Sequence, residues 1–234
     1  MQAYETSRQR LFVNADDFGV SPRANRNILY LVSLGKIDRV GVMSLGQISA
    51  KEIDELSKSG VKIDIHLDIL HKLDEQRSER SSAILRGFEF VGKIFTGKIS
   101  PKKVEADWEK QIQKFQKLFG KNPDGINSHE HVHFFPPFFK VATKLAEKYS
   151  VPYLRFGDAT TNHTSKPVAI ILHVMRILDR RIFQNSTCVS SNSLISLDWI
   201  GDIEKFLQNL PEGSIEIACH PELADDFVKI KKYF

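Results

Sequence analysis

An α/β fold that closes into a distorted (β/α) TIM-like barrel of about seven strands is the architecture this sequence predicts, from three observations. Apolar runs of strand length alternate with helical patterns along most of the 234 residues, as in a parallel sheet built from βαβ units. No internal repeat or low-complexity tract points to a solenoid. Polar residues suited to chemistry gather where strands end: Asp16 and Asp17 after the first, His66 after the third, His129 after the fourth and His220 after the last. The C-terminal ends of strands are where parallel α/β folds build their sites. An open doubly wound sheet has the same periodicity, which does not report closure.

The elements follow in order. Leu11 to Asn14 reads as the first strand. Ser21 then caps a helix with Pro22 at its first position, and Gly35 can end it. Arg39 to Leu45 is the second strand, Ser49 to Ser59 a short helix, and Val61 to Ile65 a third strand leading into His66. Leu70 to Ile99 is charged and weakly periodic and reads as a long excursion. Ser100 and Pro101 repeat the cap-plus-proline signal before an apolar stripe, Val104, Trp108, Ile112, Phe115 and Phe119, closed by Gly120. Asp124 to Asn127 is expected as a strand, Pro136 to Tyr149 as a helix, Val151 to Phe156 as a strand, Val168 to Phe183 as a helix and Thr187 to Ser190 as a strand. The last pair is a helix at Asp202 to Leu210 and a strand at Ser214 to Ala218.

Residues 1–234 are read as one domain, since a chain that is 41% hydrophobic can bury one substantial core at this length. The 33 basic and 29 acidic residues are spread evenly, so the charge of +4 makes no footprint for nucleic acid. The run Lys229, Lys231 and Lys232 reads as a solvated helix or frayed end. No apolar stretch resembles a signal or membrane span. Cys188 and Cys219 look like small buried hydrophobes. The expectation is a cytoplasmic protein with no membrane or nucleic-acid partner, with a homodimer left open.

If the sheet closes, its first and last strands become neighbours, and His220 comes beside the Asp16/Asp17 pair from the far end of the chain. Both carboxylates can enter one cavity only if the strand ends at them, because successive strand residues face opposite ways. Each could equally start a turn or cap a helix. His66 alone would also serve as a core histidine. In Ser128-His129-Glu130-His131-Val132-His133, an extended backbone would project all three histidines to one side, roughly 7 Å apart, close enough for two to share a metal.

These motifs carry a family resemblance. Asn14-Ala15-Asp16-Asp17-Phe18-Gly19, His66-Leu67, the histidine cluster followed by Pro136, and Cys219-His220-Pro221 resemble, in order and spacing, the YdjC/ChbG carbohydrate deacetylases. The resemblance implies a distorted barrel, one divalent metal ion and deacetylation of N-acetylated sugars such as chito-oligosaccharides. By position it implies Asp17, His66 and His129 as metal ligands and Asp16 as the catalytic carboxylate. The ligand types do not choose between Mg2+ and Zn2+.

With those roles, Asp16 would take a proton from water, His220 would protonate the departing amine, and His131 and His133 would be left for contacts that support the metal ligands or for substrate. Arg155, at a strand end, would hold Asp16 ionised, or equally would be a surface arginine. Two positions depart from the family pattern: Asp68 adds a carboxylate two residues after His66, and Glu222 follows Cys-His-Pro where glycine is usual. A phosphoesterase or isomerase on the same barrel would need a basic phosphate pocket, and no glycine-rich phosphate loop is evident. A non-catalytic sugar-binding protein would need a degenerate site, whereas every implied ligand and the base are present.

Overall fold

The structure is a computed structural model that describes residues 10–69, 99–159 and 166–234. Residues 1–9 and nearly all of the expected Leu70–Ile99 excursion lie outside the described residues. Seven parallel strands form one sheet in the order β5-β4-β3-β2-β1-β7-β6. They are β1 (Leu11–Phe18), β2 (Arg39–Val42), β3 (Lys62–Leu67), β4 (Gly125–Ser128), β5 (Tyr153–Leu154), β6 (Ser193–Ser196) and β7 (Ile215–Cys219). The sheet curls until its edges meet. There, isolated bridges join Tyr153 to Val189 and Asp158 to Ser193, so closure rests on a few hydrogen bonds such as Leu154 N to Val189 O, 3.0 Å.

Seven described helices cover the outside: α1 (Pro22–Ser33), α2 (Ala50–Lys58), α3 (Pro101–Phe119), α4 (Pro136–Lys148), α5 (Pro167–Gln184), α6 (Ile203–Gln208) and α7 (Ala224–Tyr233). The cap signals act as read. Ser21 and Ser100 accept hydrogen bonds from Ala24 N and Lys103 N, Ser49 and Glu52 form a reciprocal capping box, and Gly120 ends α3 at φ +67°. The lysine run lies on α7, which buries Ile230.

Strand parity divides the sheet into two unlike faces. Val13, Ala15, Val40, Val42, Ile63, Ile65, Ile126, Leu154, Ile215 and Ile217 face outwards and join the buried apolar core. The alternate residues fill the barrel with polar groups: Asn14, Asp16, Asp64, His66, Asn127, Arg155 and Glu216, all buried. The hydrophobic core therefore lies between sheet and helices, and the lumen is a hydrogen-bonded plug. Arg39 pairs with Asp64, and Asn14 Nδ2 donates to both Asp64 and Glu216 (3.2 and 2.9 Å). This plug needs room. A Cβ on Gly125 would stand 2.6 Å from both Arg39 Nη2 and Asp64 Oδ1.

The expected bounds change most at four strands: β2 stops at Val42 rather than Leu45, and β5 is Tyr153–Leu154 rather than Val151–Phe156. The sixth strand is Ser193–Ser196, not Thr187–Ser190. Ser190 meets the segment that follows β5 through its side chain, Oγ accepting from Phe156 N at 2.7 Å, and regular pairing with β7 begins only at Ser193. The first strand also runs on to Phe18 rather than stopping at Asn14, for a reason that lies in the site.

Candidate metal centre and active site

Both aspartates enter the barrel mouth because β1 bulges instead of ending. Its pairing with β2 slips between Ala15 and Phe18, and Asp17 takes a left-handed backbone, φ +68°. A bulge offsets the strict alternation of a strand, and a non-glycine residue at positive φ is held there at a cost of roughly 1–3 kcal/mol by its surroundings. Gly19, φ +106°, follows, where a Cβ would lie 2.8 Å from Met43 O.

Asp17 Oδ1 sits 3.0 Å from His66 Nε2 and 3.0 Å from His129 Nδ1. One ligand atom from each of the three residues lies within 4.8 Å of the other two. The donor set fits a divalent ion, and one further observation supports the fit: His66 Nε2 is buried and has no aligned hydrogen-bond partner. Asn127 lies 2.6 Å from His66 Nδ1. With its oxygen on that side it accepts a hydrogen bond from Nδ1–H and leaves the Nε2 lone pair facing Asp17. With its nitrogen there, its oxygen accepts from Arg155 Nη2 at 3.2 Å. Burial opposes the charge on Asp17, yet the two imidazoles hold its carboxyl well below the usual range. Burial likewise opposes charge on His129, but its bond to Asp17 raises it to about 9.

Asp16 is buried beside this cluster. Burial would raise its pKa, but the charge and hydrogen bonds of Arg155, together with the charge of His66, bring it down to about 2. Arg155 Nη1 and Nη2 donate to its two oxygens at 2.7 and 2.9 Å, while Nε donates to Glu216 Oε1 at 2.7 Å. Tyr153 OH donates to the other Glu216 oxygen. The arginine is fully buried and spans two carboxylates.

The three clustered histidines do not share a side, because their backbone is not extended. His129–Phe134 coils as a 3-10 turn in which Glu130 and His131 are left-handed, φ +50° and +54°. His129 is thereby turned to Asp17. His131 lies edge-on to Trp199, ring centroids 6.3 Å apart, and burial pushes its pKa well below the ordinary value. His133 is fully buried with both ring nitrogens engaged, Nδ1 with Ser128 Oγ at 2.5 Å and Nε2 donating to Arg155 O at 2.9 Å. Both of its ring nitrogens are therefore engaged within the protein, around the cluster, as one of the two expectations for it has it.

His220 follows β7, which pairs with β1 as far as Ala15 and Cys219, and its charge is among those that lower the pKa of Asp16. Its amide donates to Asp226 Oδ2 at 2.8 Å, and Leu223 N closes a turn on His220 O. Glu222 keeps that turn and accepts from Ser21 Oγ, the cap of α1. Asp68 is buried two residues after His66, its backbone tied to Gln111, and its charge acts on His129.

Sequence reading missed Glu216, Asn127 and Gly41. The signal was present for Glu216: a lone charged residue between Ile215 and Ile217 must face the barrel interior. Gly41 leaves the space that Asp16 occupies, since a Cβ there would stand 2.9 Å from Asp16 Oδ1.

Fold and site together define an α/β-barrel protein with an Asp-His-His cluster beside an arginine-clamped carboxylate. The chain belongs to the YdjC-like protein family, whose model matches residues 10–232. It is 28% identical over 225 residues to a carbohydrate deacetylase of Halalkalibacterium halodurans, covering 94% of this chain and 88% of that protein. It is 23% identical to a chitooligosaccharide deacetylase of Escherichia fergusonii, covering 95% and 85%. A crystal structure from Enterococcus faecalis V583, of a protein named as a candidate cellobiose-phosphate cleavage protein, shares the fold with a TM-score of 0.62, at 23% identity over 94% of this chain and 83% of that one. No helix among the described residues is long and apolar enough to cross a membrane.

Proposed function

We propose that this protein is a metal-dependent hydrolase that removes acetyl groups from N-acetylated sugars, with a chito-oligosaccharide or related N-acetylglucosamine compound as substrate. The observation that carries the reading is the juxtaposition of Asp16, held ionised by Arg155, with the Asp17, His66 and His129 cluster. Membership of the family, and the names of the relatives above, support it. Asp17, His66 and His129 would hold a Mg2+ or Zn2+ ion, which when bound supplies Lewis acidity towards an acetyl carbonyl and acidifies water.

The chain's own residues do the rest. Asp16 accepts the proton as water adds to the amide carbonyl; with a pKa of about 2 it is a weak base, so its contribution is a charged acceptor fixed in place. Arg155 and Glu216 prevent that carboxylate from turning away. His220 protonates the departing amine. His131, kept neutral by burial and edge-on to Trp199, is assigned to substrate contact. His133 supports the site from beneath by holding the Arg155 carbonyl. A phosphoesterase reading is weaker here because the Arg155 guanidinium is committed to two carboxylates.

The test is acetate release across N-acetylglucosamine and its oligomers, on protein whose metal content is measured in the same preparation. Release that depends on bound ion is expected. Protein carrying one ion per chain and releasing no acetate from any member of the series would overturn the proposal.

A further inference from the structure

The first turn of α7 carries two adjacent acids in opposite environments. Asp225 is exposed and pairs with Lys229 one turn on, at 2.6 Å. Asp226 is 1% exposed and, among the described residues, has no lysine or arginine within ion-pair distance. A buried carboxylate ordinarily needs a cation or several donors to offset its lost hydration. Both close contacts of Asp226 go instead to one residue, His220. Its Oδ2 accepts from His220 N at 2.8 Å, and the same oxygen lies 3.9 Å from Nδ1 of the His220 ring.

The segment that presents His220 is held from its other side as well. Asn27 Nδ2, on α1, donates to Pro221 O at 2.7 Å, Ser21 Oγ donates to Glu222, and Leu223 N closes the turn on His220 O at 2.9 Å. The backbone of His220 is therefore fixed, and the freedom left to it is rotation of the imidazole. At 3.9 Å Asp226 is beyond hydrogen-bond reach of that ring and acts on it by charge. The attraction draws Nδ1–H towards α7 and leaves Nε2 as the nitrogen on the far side. The charge of His220 reaches Asp16 and His131 in the barrel mouth, so the far side is the side of the site.

We propose that Asp226 is a positioning residue for His220, holding the imidazole with Nδ1 towards α7 and Nε2 towards the barrel mouth, where the departing amine takes its proton. The inference rests on the deacetylase reading given above. When the tetrahedral adduct breaks, the C–N electron pair stays on nitrogen and that nitrogen takes the Nε2 proton, releasing acetic acid and the free amine. The proton that Asp16 accepted from water returns to the ring through solvent. Asp226 exchanges no proton in this step. It narrows the rotation of a ring whose backbone is already fixed, so that little freedom is lost when the leaving nitrogen is reached.

The experiment is Asp226→Asn in the full chain, alone and combined with His220→Gln, assayed for acetate release from N-acetylglucosamine oligomers at saturating Mg2+ or Zn2+. The amide oxygen of the variant still accepts from His220 N, so the melting curve and metal affinity should stay at wild-type values while the charge that turns the ring is gone. Its kcat should fall on the order of 10–100-fold, with KM within about two-fold of wild type. A residue that acts only through the imidazole has no further effect once the imidazole is removed. In the His220→Gln background, Asp226→Asn should therefore lower kcat by less than about two-fold more. A wild-type chain that carries metal and releases no acetate would overturn the deacetylase reading and this inference with it. With an active wild type, three results would overturn the inference alone: an unchanged kcat in Asp226→Asn, an equal fall in both backgrounds, or a fall that follows loss of folded protein in the melting curve.

Discussion

Arg155 and Asp16, 139 residues apart in the chain, meet through two parallel hydrogen bonds of 2.7 and 2.9 Å inside the barrel, with the guanidinium wholly buried and its Nε on Glu216. A buried bidentate pair fixes the direction of a carboxylate as well as its charge. That fixed direction separates Asp16 from its neighbour Asp17, whose oxygen faces the two imidazoles.

The two aspartates should therefore fail differently. Asp16→Asn is expected to keep metal and lose turnover by on the order of 10²–10⁴, since the amide preserves shape but accepts no proton. Asp17→Asn should lose metal first. Metal titration beside acetate release distinguishes them, and equal metal loss in both variants would contradict the division of roles.

Removing the arginine should be costly for folding. Arg155→Met leaves Asp16 and Glu216 buried without their cation and should destabilise by about 3–5 kcal/mol in urea unfolding at pH 7. The sign of the pH dependence follows from Asp16. Its folded pKa, about 2, lies below the ordinary 3.8, so its contribution is present above that value and is lost as pH falls through about 2. The gap between wild type and variant should narrow over that window.

Metal affinity should rise with pH. Without an ion His129 keeps its proton up to about pH 9, and a ligand histidine must be neutral. Below that pH the ion must displace a proton, so affinity should climb roughly tenfold per pH unit and flatten near pH 9. Calorimetry in buffers of different ionisation enthalpy would count the proton released. A flat profile between pH 6 and 8 would show that His129 is already neutral.

Asp179, buried on α5 with neither oxygen hydrogen-bonded, should be a source of instability. Burial raises its pKa to about 7, whereas the unfolded group ionises near 3.8. The folded state therefore holds the proton more tightly, and stability falls as pH rises between those values. Asp179→Leu should raise stability by about 1–3 kcal/mol at pH 8, and by less at pH 5 where the native carboxyl is already neutral. Thermal melts at the two pH values would check both the gain and its direction.

Gly41→Ala should damage the site without touching a charged residue. The added Cβ would stand 2.9 Å from an oxygen that Arg155 prevents from moving aside, and 3.3 Å from the amide of Asn127. Overpacking of this kind costs about 1–3 kcal/mol. Turnover should fall with stability, whereas Gly35→Ala, with nothing near its Cβ but a backbone at φ +68°, should cost stability alone.

Much of this molecule is local and was legible as such. Ser21-Pro22, Ser100-Pro101 and Gly120 punctuate helices wherever they occur, because capping and backbone preference act within a few residues. The strand-end positions of Asp17, His66 and His129 could likewise be read from where apolar runs stop. What only the tertiary structure decided was direction. The bulge that turns Asp16 and Asp17 into one cavity and the left-handed pair Glu130 and His131 that splits the histidines are conformations that local preference opposes. They persist because packing and hydrogen bonds from strands distant in sequence hold them, as Asn127 and Arg155 hold His66 and Asp16. Periodicity reports which residues share a face of one element; it carries no record of the partner that chain closure brings to that face.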